Sequence, residues 1–329
     1  MNILTGVTGP EPAGAVALLE RGDPAELERF RLLEDRVWDA TTPTAAVIEA
    51  ARIRSARIRG CEFCASVRMS GAAEVGLSEQ QLSAQEDPEE RERLPQDQRA
   101  ALRLVDAFLL EAATPPADER EWLIGTLGPE GVVEVLLACS VFASADLRIA
   151  LGDNRAANST VIPRAHAVRP RTDDGTRWPA LAVSILLPDT SIPGIDPRID
   201  AALRGLRTWM FEQDDVPDRL LSACLLRCAQ LLGVEDDGPR ERLLAPESLR
   251  SDVRGDEVRD WTRRLTGDER ALMTYAEQLW LDPSGLDEPV VGPVRSVLDD
   301  AALIRHTWRL IWIAQLQRMS MVLGPEEAT

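Results

Sequence analysis

Apolar residues recur at three- and four-residue intervals along most of the chain, and few stretches alternate with period two. Residues Ala25 to Trp38 place Leu27, Phe30, Leu33 and Val37 on one stripe, with acids and arginines on the others. Thr44 to Arg59 reads as a helix that begins after Pro43 and stops at Gly60. Helical spacing restarts over Cys61 to Val75. It returns in Gln98 to Ala112 (through Leu102, Val105, Phe108 and Leu109) and in the apolar run Pro129 to Leu151. The pattern predicts an all-α chain.

The second half echoes the first. Asp23-Pro24 lines up with Asp196-Pro197 and Gly60 with Gly233 at one common offset, and between them Glu49 to Gly60 faces Ser222 to Gly233. At a slightly shorter offset, Leu94-x-x-Asp97-Gln98-Arg99-Ala100 matches Leu265-x-x-Asp268-Glu269-Arg270-Ala271. Both halves finish on Leu-Gly, at Leu151-Gly152 and Leu323-Gly324, and Ile3-Leu4 has a counterpart in Ile185-Leu186. The expectation is a tandem duplication: a first unit over 1–152, a linker rich in Pro, Arg, Asp and Thr over 153–177, and a second unit over 178–329.

Composition narrows the chemistry. All 37 cationic residues counted as Lys+Arg are arginine, which excludes Schiff-base chemistry, a phosphate-binding lysine and a lysine general base. The net charge of -18, with an isoelectric point near 4.7, argues against a nucleic-acid partner. No apolar run reaches the ~20 residues of a membrane span. The opening MNILTGVTGPEP lacks the pattern of a secretory signal, so a cytoplasmic location is expected. Five cysteines, an odd number, do not suggest a disulfide framework. With His166 and His306 as the two histidines, multi-histidine metal sites are set aside, and no cofactor is expected.

The sharpest feature is Cys61-Glu62-Phe63-Cys64. Three-residue spacing at a helix start brings two sulfurs within disulfide reach, and the unpaired N–H groups and dipole there favour a thiolate. The pair reads as a redox couple, as half of a zinc site completed by Cys224 and Cys228 or a histidine, or as chance. Cys139, Cys224 and Cys228 lie in apolar helical runs and read as core.

Around this pair, Glu49, eleven helical residues, Gly60-Cys61-Glu62-Phe63-Cys64, a helix ending near Gly76-Leu77 and the later Leu-x-x-x-x-Arg-Ala block follow one another. This order resembles the alkyl hydroperoxidase D / carboxymuconolactone decarboxylase family, over about residues 20–152 and, as a degenerate copy, 184–324. The resemblance implies an all-helical, duplicated or oligomeric protein. Cys64 would be the peroxidatic thiol, Cys61 its resolving partner and Glu49 the relay carboxylate. The substrate would be a small peroxide or organic molecule, a thiol would serve as reductant, and further homo-oligomerisation is implied.

The chain departs from that family where a histidine would follow the second cysteine by four residues. Arg68 stands there, and Phe63 stands between the cysteines. If the chain reverses at Gly60, Glu49 lies ~16 Å back along one helix and Arg68 ~12 Å along the next, so a Glu49–Arg68 ion pair is expected. Arginine holds a fixed charge and does not shuttle protons near neutrality. A family member recruited to a non-redox conversion of an organic acid or lactone, and a non-catalytic helical scaffold, stand as alternatives. In the second unit Ser222, Val234, Asp237 and Glu241 fall in place of Glu49, Cys61, Cys64 and Arg68, so one site per chain is expected. Arg52, Arg54, Arg57 and Arg59 read as a solvated face, Glu86 to Glu92 as an exposed loop, Trp308 and Trp312 as core or interface, and His306 as an ordinary polar helical residue.

Overall fold

The computed structural model describes residues 14–39, 41–152, 154–156, 161–164, 166–170, 178, 197–212, 215–233 and 265–324, and over these the chain is all-α. In the first half the helices are α1 (Gly14–Gly22), α2 (Pro24–Asp39), α3 (Ala45–Ile58), α4 (Glu62–Ser66), α5 (Ser70–Glu74), α6 (Glu79–Ala84), α7 (Pro88–Arg91), α8 (Gln96–Asp106), α9 (Ala117–Val141) and α10 (Ser144–Ala150). The second half contributes α11 (Pro197–Glu212), α12 (Asp218–Leu231), α13 (Gly267–Leu281), α14 (Glu288–Arg295) and α15 (Asp300–Val322). A π-helical turn (Ala107–Glu111), a 3-10 turn (Pro283–Gly285) and two short parallel strands, β1 (Arg68–Met69) and β2 (Val161–Ile162), complete the described elements.

The apolar stripes become the core. Leu27, Phe30, Leu33 and Val37 of α2 are buried, as are Leu102 and Val105 of α8 and Phe108 in the π-helical turn that follows it. That turn ends at Ala112, whose φ of 47° is left-handed and stops the helix. The long apolar run is two helices rather than one: α9 ends at Val141, and α10 starts at Ser144. α9 itself kinks at Gly128 (φ 75°), after which Pro129 restarts the helix at a position where its missing N–H costs nothing.

Both halves feed one buried apolar cluster, running from Leu18 to Leu323. Trp308 and Trp312 lie fully inside it, edge to face at 5.6 Å, and Phe30 meets Trp308 edge-on at 5.4 Å. Trp308 Nε1 donates to Glu26 Oε1 (3.3 Å), Arg305 Nη1 to the Gly22 carbonyl (3.0 Å) and Thr114 Oγ1 to the Met321 carbonyl (2.6 Å).

Helix boundaries also repeat. α2 and α11 start and stop at the offset that relates Gly60 to Gly233, and so do α3 and α12. α8 and α13 begin at the offset that relates Leu94 to Leu265, as do α9 and α14, and the same offset relates the restart at Pro129 to the start of α15 at Asp300. A polar contact sits at matching places with different chemistry. Thr42 N and Oγ1 both donate to Glu134 Oε2 at 2.7 Å. Asp215 and Arg305 occupy the corresponding positions in the second half, and there Asp215 accepts from Arg305 at 2.7 and 2.9 Å.

The described part of the connecting segment is docked on the first half. Ile162 pairs with Met69, Arg169 N donates to the Thr41 carbonyl (2.8 Å), and Arg164 Nη2 reaches Glu34 at 3.0 Å. The Ile3-Leu4 and Ile185-Leu186 echo lies outside the described residues. Among the described residues no helix is long and apolar enough to cross a membrane.

Candidate functional site

The cysteine turn is built by the end of α3. Thr44 Oγ1 caps its start, and at its end Cys61 N donates to the Ala56 carbonyl (2.9 Å) and Gly60 N to that of Arg57 (3.1 Å). This paired closure requires a left-handed residue, and Gly60 supplies it at φ 72°. The chain thereby reverses and presents Cys61 as the N-cap of α4, its sulfur accepting from Cys64 N at 3.2 Å. Asn154 locks the turn from outside, donating from Nδ2 to the Gly60 carbonyl and accepting Glu62 N on Oδ1, both at 2.9 Å. The Cα atoms of Cys61 and Cys64 are 5.3 Å apart, and their sulfurs lie at disulfide distance. Cys61 is buried, whereas Cys64 is half-buried.

Beyond Cys64 the expected continuous helix to Val75 is corrected. α4 ends at Ser66, and Arg68 and Met69 leave the helix to pair with Val161 and Ile162 before α5 begins. A helix as short as α4 carries little dipole, so that source of thiolate stabilisation is weak here.

The break also cancels the expected Glu49–Arg68 ion pair. Arg68 turns to the surface, where Nε and Nη2 bind Glu79 at 2.6 and 2.9 Å and Nη1 binds the Ala65 and Val67 carbonyls. The hydrogen bond from Arg68 holds the Glu79 carboxyl below its usual range. Glu49, 1% exposed, is taken instead by Arg52, which is 5% exposed. Arg52 donates from Nε to Oε2 (2.6 Å) and from Nη2 to Oε1 (2.8 Å), a bidentate pair. Its Nη1 binds the Cys64 carbonyl (2.7 Å) and its Nη2 also binds the Val67 carbonyl (2.6 Å), while Met69 N donates to Glu49 Oε1 at 3.2 Å. One buried arginine thus closes the end of α4 and fixes the backbone of Cys64. Sequence reasoning placed Arg52 on a solvated face; its spacing of three from the buried Glu49 was the available signal.

Cys64 borders a cavity of about 190 Å3. Phe30, Phe63, Met69, Phe142 and Ile162 give it apolar walls, and Glu34, Arg52, Ser144 and Arg148 add polar groups. The Arg148 guanidinium stacks over the Phe63 ring, 3.5 Å from its centroid. Glu34 is the carboxyl on this wall; burial pushes it above the usual carboxylate range, against the opposing pull of Arg164. Glu34, Arg148 and Asn154 were not singled out from the sequence as site residues.

No protein-family profile, curated protein or solved structure matches this chain.

The other candidates fall as follows. Arg54 binds Asp106 (2.8 Å), Arg57 binds the Leu82 carbonyl (2.6 Å), and Arg59 binds Asp146 and Gln315, so this set is engaged rather than solvated. The acidic stretch contains the helical turn α7, tied down by Arg91 to Asp106 (2.8 Å). Cys139, Cys224 and Cys228 are buried free thiols, each pushed up to about 12 by burial. His306 is wholly buried with neither ring nitrogen hydrogen-bonded, and desolvation pushes it down to about 3, so it is a neutral core residue. Among the described residues no three His, Cys, Asp or Glu side chains converge as a metal site. Val234, Asp237 and Glu241, which align with the site residues, lie outside the described residues.

Proposed function

We propose that the protein is a thiol–disulfide oxidoreductase that reduces a small hydroperoxide at Cys64, with Cys61 as resolving thiol. The observation that carries this reading is the placement of the pair: Cys64 on the wall of a cavity, Cys61 buried behind it at disulfide distance. In the reduced protein the Cys64 thiolate attacks the distal peroxide oxygen. The O–O bond breaks, the sulfur becomes a sulfenic acid, and the alkoxide leaves with a proton. The Cys61 thiol then attacks the Cys64 sulfur, forming the disulfide and releasing water, and an external dithiol restores both cysteines.

Glu34 is the carboxyl available on that wall to protonate the alkoxide, the role in which Arg68 cannot serve. The resemblance to the alkyl hydroperoxidase D family supports the same assignment, with Glu49 held by Arg52 as a fixed carboxylate beneath the site. The coincident helix boundaries support a tandem duplication in which the first copy keeps the site.

The test follows the reduced protein by mass spectrometry after addition of an alkyl hydroperoxide. Loss of two hydrogens, mapped to a Cys61–Cys64 disulfide, is expected in the native chain; Cys64→Ser should abolish turnover, and Cys61→Ser should trap the sulfenic acid. Reduced cysteines under excess peroxide, or full activity in Cys64→Ser, would overturn the assignment.

A further inference from the structure

A second cavity, of about 260 Å3, lies where the two halves meet. The end of α3 and Asp146 of α10 form one side; the end of α13 and the α15 residues Ile311, Ala314, Gln315 and Arg318 form the other. Its walls are mostly apolar, and Trp280 is held there by donation of its Nε1 to the Leu310 carbonyl (2.9 Å).

The charges within it are unevenly matched. Arg59 is engaged on each of its three nitrogens: it binds Asp146, Ser55 Oγ (3.2 Å) and Gln315 Oε1 (2.8 Å). Asp282 accepts from Ser284 N (2.9 Å) and Oγ (2.5 Å) and is exposed. Arg318 has no hydrogen-bond or ion-pair partner among the described residues, and its Nε is buried with none. The Asp146 carboxyl, which acts on Arg318 at longer range, is already bound to Arg59. Gln315, itself 1% exposed, spends its carbonyl oxygen on Arg59 and keeps its amide N–H groups for another acceptor. Arg318 is half-buried, with its Nε enclosed, and a carboxylate entering the cavity would replace the water on its outer nitrogens with a charge-matched acceptor.

We infer that this cavity binds an organic monocarboxylate, its carboxylate on Arg318 and the Gln315 amide and its apolar body against Trp280, Leu279 and Ile311. Guanidinium presents the paired donors that a carboxylate matches in plane. At ~30 Å3 of liquid volume per water, the space is that of about nine waters, room for a ligand of benzoate's size. The apolar walls favour such a ligand over inorganic phosphate, which would leave them bare. α10 separates this site from the cysteine cavity, presenting Asp146 to one and Ser144 and Arg148 to the other.

The proposal is independent of the peroxidase reading, and calorimetric titration of the full chain with benzoate tests it. Binding with one site per chain is expected, at least tenfold weaker in Arg318→Met, which keeps the stem and removes the charge, and lost in Ala314→Phe, which fills the cavity. Benzyl alcohol and inorganic phosphate are expected to bind at least tenfold more weakly than benzoate. Benzoate should also raise the melting temperature of the native chain and leave that of folded Arg318→Met unchanged, which keeps the test open if the filled variant fails to fold. No heat and no thermal shift at about 10 mM benzoate would overturn the inference, as would unchanged affinity in Arg318→Met or equal binding of phosphate.

Discussion

Replacing Arg52 by methionine isolates the contribution of the clamp beneath Cys64. The change keeps most of the aliphatic stem and removes four donated hydrogen bonds: two to Glu49, one to the Cys64 carbonyl and one to the Val67 carbonyl. Glu49 is 1% exposed and would keep the Met69 N–H, at 3.2 Å, as the donor to its carboxylate. Stranding a buried charge in this way costs about 3–5 kcal/mol. The two carbonyls add little to that, because a loosened α4 lets them reach water. Against a total stability of about 5–15 kcal/mol, the loss is a large fraction. Equilibrium urea unfolding of R52M, E49Q and the double variant supplies the measurement. The double variant should cost less than the sum of the single ones by about 2 kcal/mol or more, since it no longer buries an unpaired carboxylate. A loss under about 1 kcal/mol in R52M, or strict additivity across the cycle, would show that the clamp is not what holds this turn.

Two buried ionisable groups predict opposite pH trends. Burial raises Glu26 to about 7, so its contribution to stability is full below the unfolded value near 4.5 and is lost as pH rises through 7. E26Q should therefore gain on the native chain at pH 8, by up to about 3 kcal/mol at ~1.4 kcal/mol per unit, less whatever the bonds to Arg29 and Trp308 contribute. His306 is depressed to about 3, so its contribution is full above 6.5 and fades as pH falls toward 3; H306L should flatten the acid limb of a stability–pH profile measured by thermal unfolding. R68A breaks a surface pair, with side chains 26% and 69% exposed, and should cost no more than about 1 kcal/mol in the same urea assay.

The all-α pattern and the bounds of α3 were legible because their signals are local. Thr44 and Gly60 bound α3 through capping chemistry that operates within four residues of each end, and the stripe through Leu27, Phe30, Leu33 and Val37 needs only the helical repeat. The cysteine pair was legible for the same reason, as its spacing fixes its geometry. What escaped depends on contacts distant in sequence. Nothing near Val67 says that the helix must stop. It stops because Val161 and Ile162 take up the backbone of Arg68 and Met69, and that pairing decides whether Arg68 or Arg52 reaches Glu49. The burial of His306 is equally non-local: its face of α15 is closed by helices from elsewhere in the chain.

The absence of lysine takes on a structural meaning at these positions. An ammonium is a point charge with three donors, whereas guanidinium offers five in a rigid plane, enough to neutralise a carboxylate and close a backbone turn at once. Arg52 does both, and Arg59 joins Ser55 of its own helix to Asp146 of α10 and Gln315 of α15. At the offset that relates Gly60 to Gly233, Leu225, buried, stands in place of Arg52 and Ser222 in place of Glu49. Carboxylate and guanidinium are both absent at these paired positions, so neither leaves a charge without its partner there. Arg52 and Arg59 thus hold backbone and carboxylates inside the fold, whereas Arg318 lines a cavity with no hydrogen-bond partner among the described residues, the position proposed to take a carboxylate.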